Sequence, residues 1–134
     1  MRFLGIDYGT KRVGIALTNE DGTMAFPHTT LPNDKALVTA VTSLVYEKAV
    51  DAVVIGRSHD LSDVPNAVQT DIDAFVAVLT EKLAVPIYAE PEQFSTQAAL
   101  RLQGRTKETD ASAAALILDA YITRQRHNEK KGHT

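Results

Sequence analysis

The chain has 134 residues, of which 44% are hydrophobic and 23% charged, with a formal net charge of −3 and no cysteine. That length suits one domain with a real core, and the composition excludes both a disordered chain and a membrane bundle. The missing cysteines exclude disulfides, thiolate zinc sites and cysteine nucleophiles, so any metal must be held by oxygen or imidazole.

The opening Met1-Arg2-Phe3-Leu4-Gly5-Ile6 meets a charge at Asp7, too early for a signal peptide. No window of about 18 uncharged apolar residues follows, so no membrane association and a cytoplasmic location are expected. Residues 2–8 and 12–18 are short and β-rich, and Gly9-Thr10-Lys11 between them reads as a hairpin turn. Residues 23–31 predict a third strand, restricted by Pro27 to an edge or a bulge. From residue 33 the period changes. Leu37, Val38, Val41, Leu44 and Val45 recur at helical spacing, and residues 51–56 then form a continuous apolar run that reads as a buried parallel strand. Residues 57–66 are polar and loop-like. Val68, Ile72, Phe75, Val76, Leu79 and Leu83 predict a second helix, and residues 85–89 a further buried strand with Glu90-Pro91-Glu92 at its end. A short helix over 95–103, a charged loop over 104–108 and a last helix over 110–126 complete the pattern. Residues 1–126 are therefore read as a single α/β domain built on a mixed five-stranded sheet, three strands antiparallel and then two parallel, flanked by helices. Residues 127–134 are read as a polar, flexible tail.

Three acids fall where these elements deliver them to one end of the sheet. Asp7 lies near the end of the first strand, Glu92 follows the last strand, and Asp110 opens the final helix. Active sites of open α/β sheets lie outside strand ends, and clustered carboxylates there attract a hard divalent cation, Mg2+ or Mn2+. Two such ions about 4 Å apart activate water and stabilise the leaving oxygen in phosphodiester hydrolysis. Each acid also has a plainer reading: Asp7 as a turn aspartate before Gly9, Glu90 and Glu92 as solvated loop residues flanking Pro91, and Asp110 as a helix N-cap. Gly9, Thr10 and Lys11 after a strand are placed to cradle a phosphate. His28, His59, His127 and His133 have no metal-ligand spacing. The negative net charge argues against a nucleic-acid partner, although metal-binding acids contribute to it and Lys11, Arg12, Arg57, Arg101, Arg105 and Lys107 can share one face.

The run Gly5-Ile6-Asp7-Tyr8-Gly9-Thr10-Lys11-Arg12-Val13-Gly14-Ile15-Ala16 resembles the opening of the YqgF-type Holliday junction resolvase family, which has a ribonuclease H-like fold. Val54-Ile55-Gly56 is similar to that family's central strand, Glu92-Gln93-Phe94-Ser95-Thr96-Gln97-Ala98-Ala99 to its acidic motif, and the run from Asp110 to Leu118 to its final helix. The resemblance implies a metal-dependent nuclease with Asp7, Glu92 and Asp110 as catalytic acids and metal ligands. It also implies Lys11, Arg12, Ser95 and Thr96 near the substrate backbone. The substrate it implies is branched DNA or the 5′ end of precursor small-subunit ribosomal RNA, and cutting both strands of a junction would ask for a homodimer. The family's acidic-arginine pair stands here as Glu92-Gln93, preceded by Pro91 where another acid is common. A bidentate phosphate contact is thereby lost, and Arg57, in a loop that departs from the usual glycine-leucine-proline form, is the expected replacement. Two other readings compete: a non-catalytic nucleic-acid-binding module of the same fold, and a sugar-kinase-like phosphotransferase, against which the single-domain length argues.

Overall fold

The computed structural model describes residues 1–9, 11–57, 67–91 and 107–132, with the side chains at 57, 67–69, 91, 107–110 and 126–132 outside the described set. Strands β1 (Phe3–Tyr8) and β2 (Arg12–Thr18) form the expected antiparallel hairpin, with Ile6 opposite Ile15 and Asp7 opposite Gly14. β3 (Ala25–Pro32) pairs antiparallel with β2 at the edge of the sheet. An edge strand tolerates Pro27 and Pro32 because its outer N–H groups need no ladder partner. The register shifts between Ile15, opposite Thr29, and Ala16, opposite Pro27, which leaves His28 as the bulge residue.

Helix α1 (Leu37–Glu47) leads into β4 (Ala52–Arg57), which pairs parallel with β1, and α2 (Ala67–Lys82) leads into β5 (Ile87–Pro91), parallel with β4. The sheet order is β3-β2-β1-β4-β5, three antiparallel strands and then two parallel ones, as the sequence pattern predicts. Strand alternation divides the core into two layers. On one face Leu4, Ile6, Val13, Ile15, Val53 and Ile55 pack under Val41 and Val45 of α1 and Phe75 and Leu79 of α2. On the other, Ala16 and Val54 meet Ala114, Ile117, Leu118, Tyr121 and Ile122 of helix α3 (Lys107–Gly132).

Three boundaries differ from expectation. β5 runs on through Glu90 and Pro91, because Gly56 and Arg57 of β4 continue the parallel ladder opposite them. α3 begins at Lys107, so Asp110 is its fourth residue rather than its N-cap. The helix also continues past 126 to Gly132, so its backbone includes part of the expected tail. The predicted short helix over 95–103, and residues 58–66 of the polar loop, lie outside the described residues. Among the described residues no helix is long and apolar enough to cross a membrane.

Candidate active site

β1 alternates Leu4 and Ile6 toward the α1–α2 layer and Phe3, Gly5 and Asp7 toward α3. The α3 side is unusually close at Gly5, where a Cβ would stand 2.5 Å from Cγ of Leu118 and 3.0 Å from the carbonyl oxygen of Ala114. Glycine here lets the helix backbone lie against the strand. Phe3 meets Tyr121 edge-on at 5.6 Å, so α3 steps back along its own chain as β1 advances from Phe3 to Gly5. A helical turn of four residues and a two-residue strand step are each about 6 Å long, so the first turns of α3, which carry Asp110, lie toward the Asp7 end of β1.

Asp7 is 2% exposed, and its Oδ2 is a buried oxygen that accepts no hydrogen bond, although the residue has an interaction elsewhere. One step beyond the registered pair of Ile6 and Ile55, Asp7 faces Gly56, and Gly56 in turn is opposite Glu90. Asp7, Gly56 and Glu90 thus form one row across the carboxyl ends of three strands, on the α3 face. Gly56 carries no side chain, so nothing projects from β4 between the two acids, whose Cα atoms are about 10 Å apart, two strand spacings.

Glu90 is also 2% exposed, not the solvated loop residue that its place beside Pro91 suggests. Burial pushes its carboxyl above the usual carboxylate range, while the charge of Arg124 and a hydrogen bond from it pull the other way. Nη2 of Arg124, on α3, donates to Glu90 Oε1. The pair was not anticipated from the sequence. Its signal was there in the alternation of Ile87 and Ala89 with Tyr88 and Glu90, and in the helical spacing of Tyr121 and Arg124.

The turn after Asp7 is clamped by another residue that sequence reasoning missed. Asn33, just after β3, donates its side-chain Nδ2 to the Gly9 carbonyl at 2.7 Å. Its backbone N–H donates to the Lys11 carbonyl at 2.9 Å. Gly9 and Lys11 are thereby held beside Asp7, with Lys11 exposed and Arg12 half-buried. Thr10, Glu92, Ser95 and Thr96 lie outside the described residues, and only the backbones of Arg57, the last residue of β4, and Asp110 are described. Among the described residues no group of three or more histidines and acids is close enough to hold a metal ion.

A profile described as RuvX, Holliday junction resolvase, matches residues 1–124. The chain belongs to that family. Among its relatives, the "Putative pre-16S rRNA nuclease" of Rickettsia akari (strain Hartford) is 32% identical over 129 residues, covering 89% of this chain and 84% of the relative. The protein of the same description from Oleidesulfovibrio alaskensis (strain ATCC BAA-1058 / DSM 17464 / G20) is 32% identical over 132 residues, covering 91% and 92%. RuvX membership makes the chain one of a family of nucleases. Its fold resembles that of T. thermophilus RuvC solved in complex with a Holliday junction substrate, with a TM-score of 0.65, 16% identity and coverage of 94% and 96%. It also resembles the fowlpox virus resolvase solved with Holliday junction DNA, with a TM-score of 0.59, 14% identity and coverage of 93% and 99%. Those neighbours, with the sheet order, identify the fold as ribonuclease H-like.

Proposed function

We propose that this chain is a metal-dependent endonuclease that hydrolyses phosphodiester bonds in nucleic acid, with precursor 16S ribosomal RNA or four-way branched DNA as its substrate. The observation that carries the reading is the placement of Asp7. Its carboxylate is buried at the carboxyl end of the central strand, beside a clamped turn bearing Lys11 and on the sheet face that α3, the helix of Asp110, covers. A carboxylate buried at such a strand end is suited to a hard divalent cation, and an oxygen donor set with neither cysteine nor histidine suits Mg2+ or Mn2+.

In this reading Asp7, Glu92 and Asp110 hold the metal. Two ions bound there would supply an activated water and stabilise the departing oxygen. The chain's own part is positional. Gly9, Thr10 and Lys11 present backbone and side-chain donors to a phosphate, Arg12, Ser95 and Thr96 extend the contact along the strand, and Asn33 keeps the turn in shape. Arg57, at the end of β4, is assigned the charge that Gln93 lacks. The relatives' descriptions favour the ribosomal RNA precursor, and the family description favours the DNA junction. Cutting a symmetric junction on both strands calls for a two-fold dimer, whereas trimming an RNA end does not.

The test is cleavage of both substrates by purified protein with Mg2+ or Mn2+, beside Asp7→Asn. Loss of cutting by a factor of about 10²–10³ in the variant is expected, as for removal of a principal electrostatic contributor. Equal cutting by both proteins would overturn the reading. Salt-dependent binding with no cutting of either substrate would instead favour a non-catalytic nucleic-acid-binding module, to which Gln93 and the net charge of −3 also point.

A further inference from the structure

At the β5 edge of the sheet, beyond the row of acids, β5 and α3 bring together a second cluster. Tyr88 and Glu90 alternate onto the α3 face of β5, and Tyr121 and Arg124 lie about one turn apart on the helix. Tyr121 stacks on Tyr88 with centroids 5.7 Å apart and planes 17° from parallel. Phe3 meets Tyr121 edge-on, so the ring of Tyr88 rests on a fixed support while the residue stays 40% exposed. Arg124 is held through one nitrogen by the buried Glu90, yet its side chain is 46% exposed. A guanidinium carries five N–H donors in a rigid fork, so most of them remain for another acceptor.

As packing alone the arrangement is poor. An ion pair with one partner buried adds little net stability over an apolar pair, and a tyrosine exposed on a sheet edge leaves aromatic surface in water. As a binding surface it is well made. Glu90 fixes the direction of Arg124, and Arg124 cancels the charge with which Glu90 would repel a phosphate. Glu90 shares the row of Asp7, with Cα atoms about 10 Å apart, so the cluster lies on the same face of the sheet as the proposed scissile site.

We propose that Tyr88 and Arg124 form an accessory subsite for an unpaired nucleotide, Arg124 taking a backbone phosphate and the open side of Tyr88 stacking the base. The proposal rests on the nuclease reading above and deepens it. Stacking on an aromatic ring needs a base that is free of its own stack, so this subsite favours single-stranded or frayed segments over continuous duplex. It also places a cationic contact near the acids on a chain whose net charge is −3.

The test is equilibrium binding of the full chain to a mixed-sequence single-stranded oligonucleotide and to its fully paired duplex, in EDTA and across a salt series. Wild type, Arg124→Gln and Tyr88→Leu are compared, each well below its own melting temperature. Arg124→Gln should lower the salt slope on the single strand by about 0.7, the share of one phosphate. Tyr88→Leu should weaken single-strand binding by about tenfold or more, and duplex binding far less. If Arg124→Gln fails to fold, Arg124→Lys takes its place and should keep the slope while weakening binding, since it keeps the charge and loses the fork. Variants that melt earlier but bind like wild type would overturn the subsite and leave the nuclease reading standing. A wild-type chain that binds neither probe would also overturn the subsite, while the nuclease reading stands or falls on the cleavage assay above.

Discussion

Two buried carboxylates in one row have different surroundings. Asp7 sits beside the turn held by Asn33, whereas Glu90 is held by an arginine from the opposite layer. Arg124 opposes the effect of burial on Glu90, so removing it should raise that carboxyl's pKa further. In Arg124→Gln, side-chain carboxyl NMR should show Glu90 titrating at higher pH than in wild type. The sign for stability follows. A carboxyl whose folded pKa is above its unfolded value stabilises the fold at low pH, and that stability is lost as pH rises from the ordinary carboxylate range through the folded pKa. The variant should therefore lose more stability over that rise than wild type, and an unchanged Glu90 titration would show that the ion pair does not form in solution.

At the level of elements, two contacts set how helices meet the sheet. α1 ends in a Schellman motif, in which the N–H of Val50 donates to the Val45 carbonyl at 2.9 Å and that of Ala49 to Tyr46 at 3.4 Å. Ala49 holds the left-handed position with φ of 53°. Glycine is favoured there, so Ala49→Gly should stabilise by about 0.5–1 kcal/mol, the strain relieved less the extra chain entropy. A higher urea midpoint at unchanged slope would register it. The second contact is Gly5 against Leu118. Gly5→Ala pushes a methyl group into a side chain and a helix carbonyl, and should destabilise by about 1–3 kcal/mol. Leu118→Ala costs core packing by itself, yet the double mutant should lose less than the sum of the two single losses, because the shortened side chain makes room for the new methyl group. Additive losses in the double mutant would show that the two residues do not meet.

For the whole molecule, the proposed metal site joins β1, the segment after β5 and the start of α3, elements distant in sequence. An ion bound there binds only the folded chain and stabilises it by mass action, by about 2.7 kcal/mol at one hundred times its dissociation constant. Mn2+ should therefore raise the melting temperature of wild type and leave Asp7→Asn nearly unmoved. Equal shifts in the two proteins would remove Asp7 from the site, whatever the cleavage assay shows.

The sequence by itself determined the five strands and the three described helices, the α/β class and the position of Asp7 at the end of β1, because period-two and helical spacing are local properties of the chain. It also carried the family, since the runs around Asp7 and Asp110 are continuous. It misjudged Glu90, because a glutamate before proline has the composition of a loop and only the ladder from Gly56 keeps it in the sheet. It could not show that Arg124 belongs to Glu90, or that Asn33 belongs to the turn after Asp7, since these partners are 34 and 24 residues apart. Only tertiary structure decided those pairings, because which polar group satisfies a buried one depends on which layers are packed together and in what register.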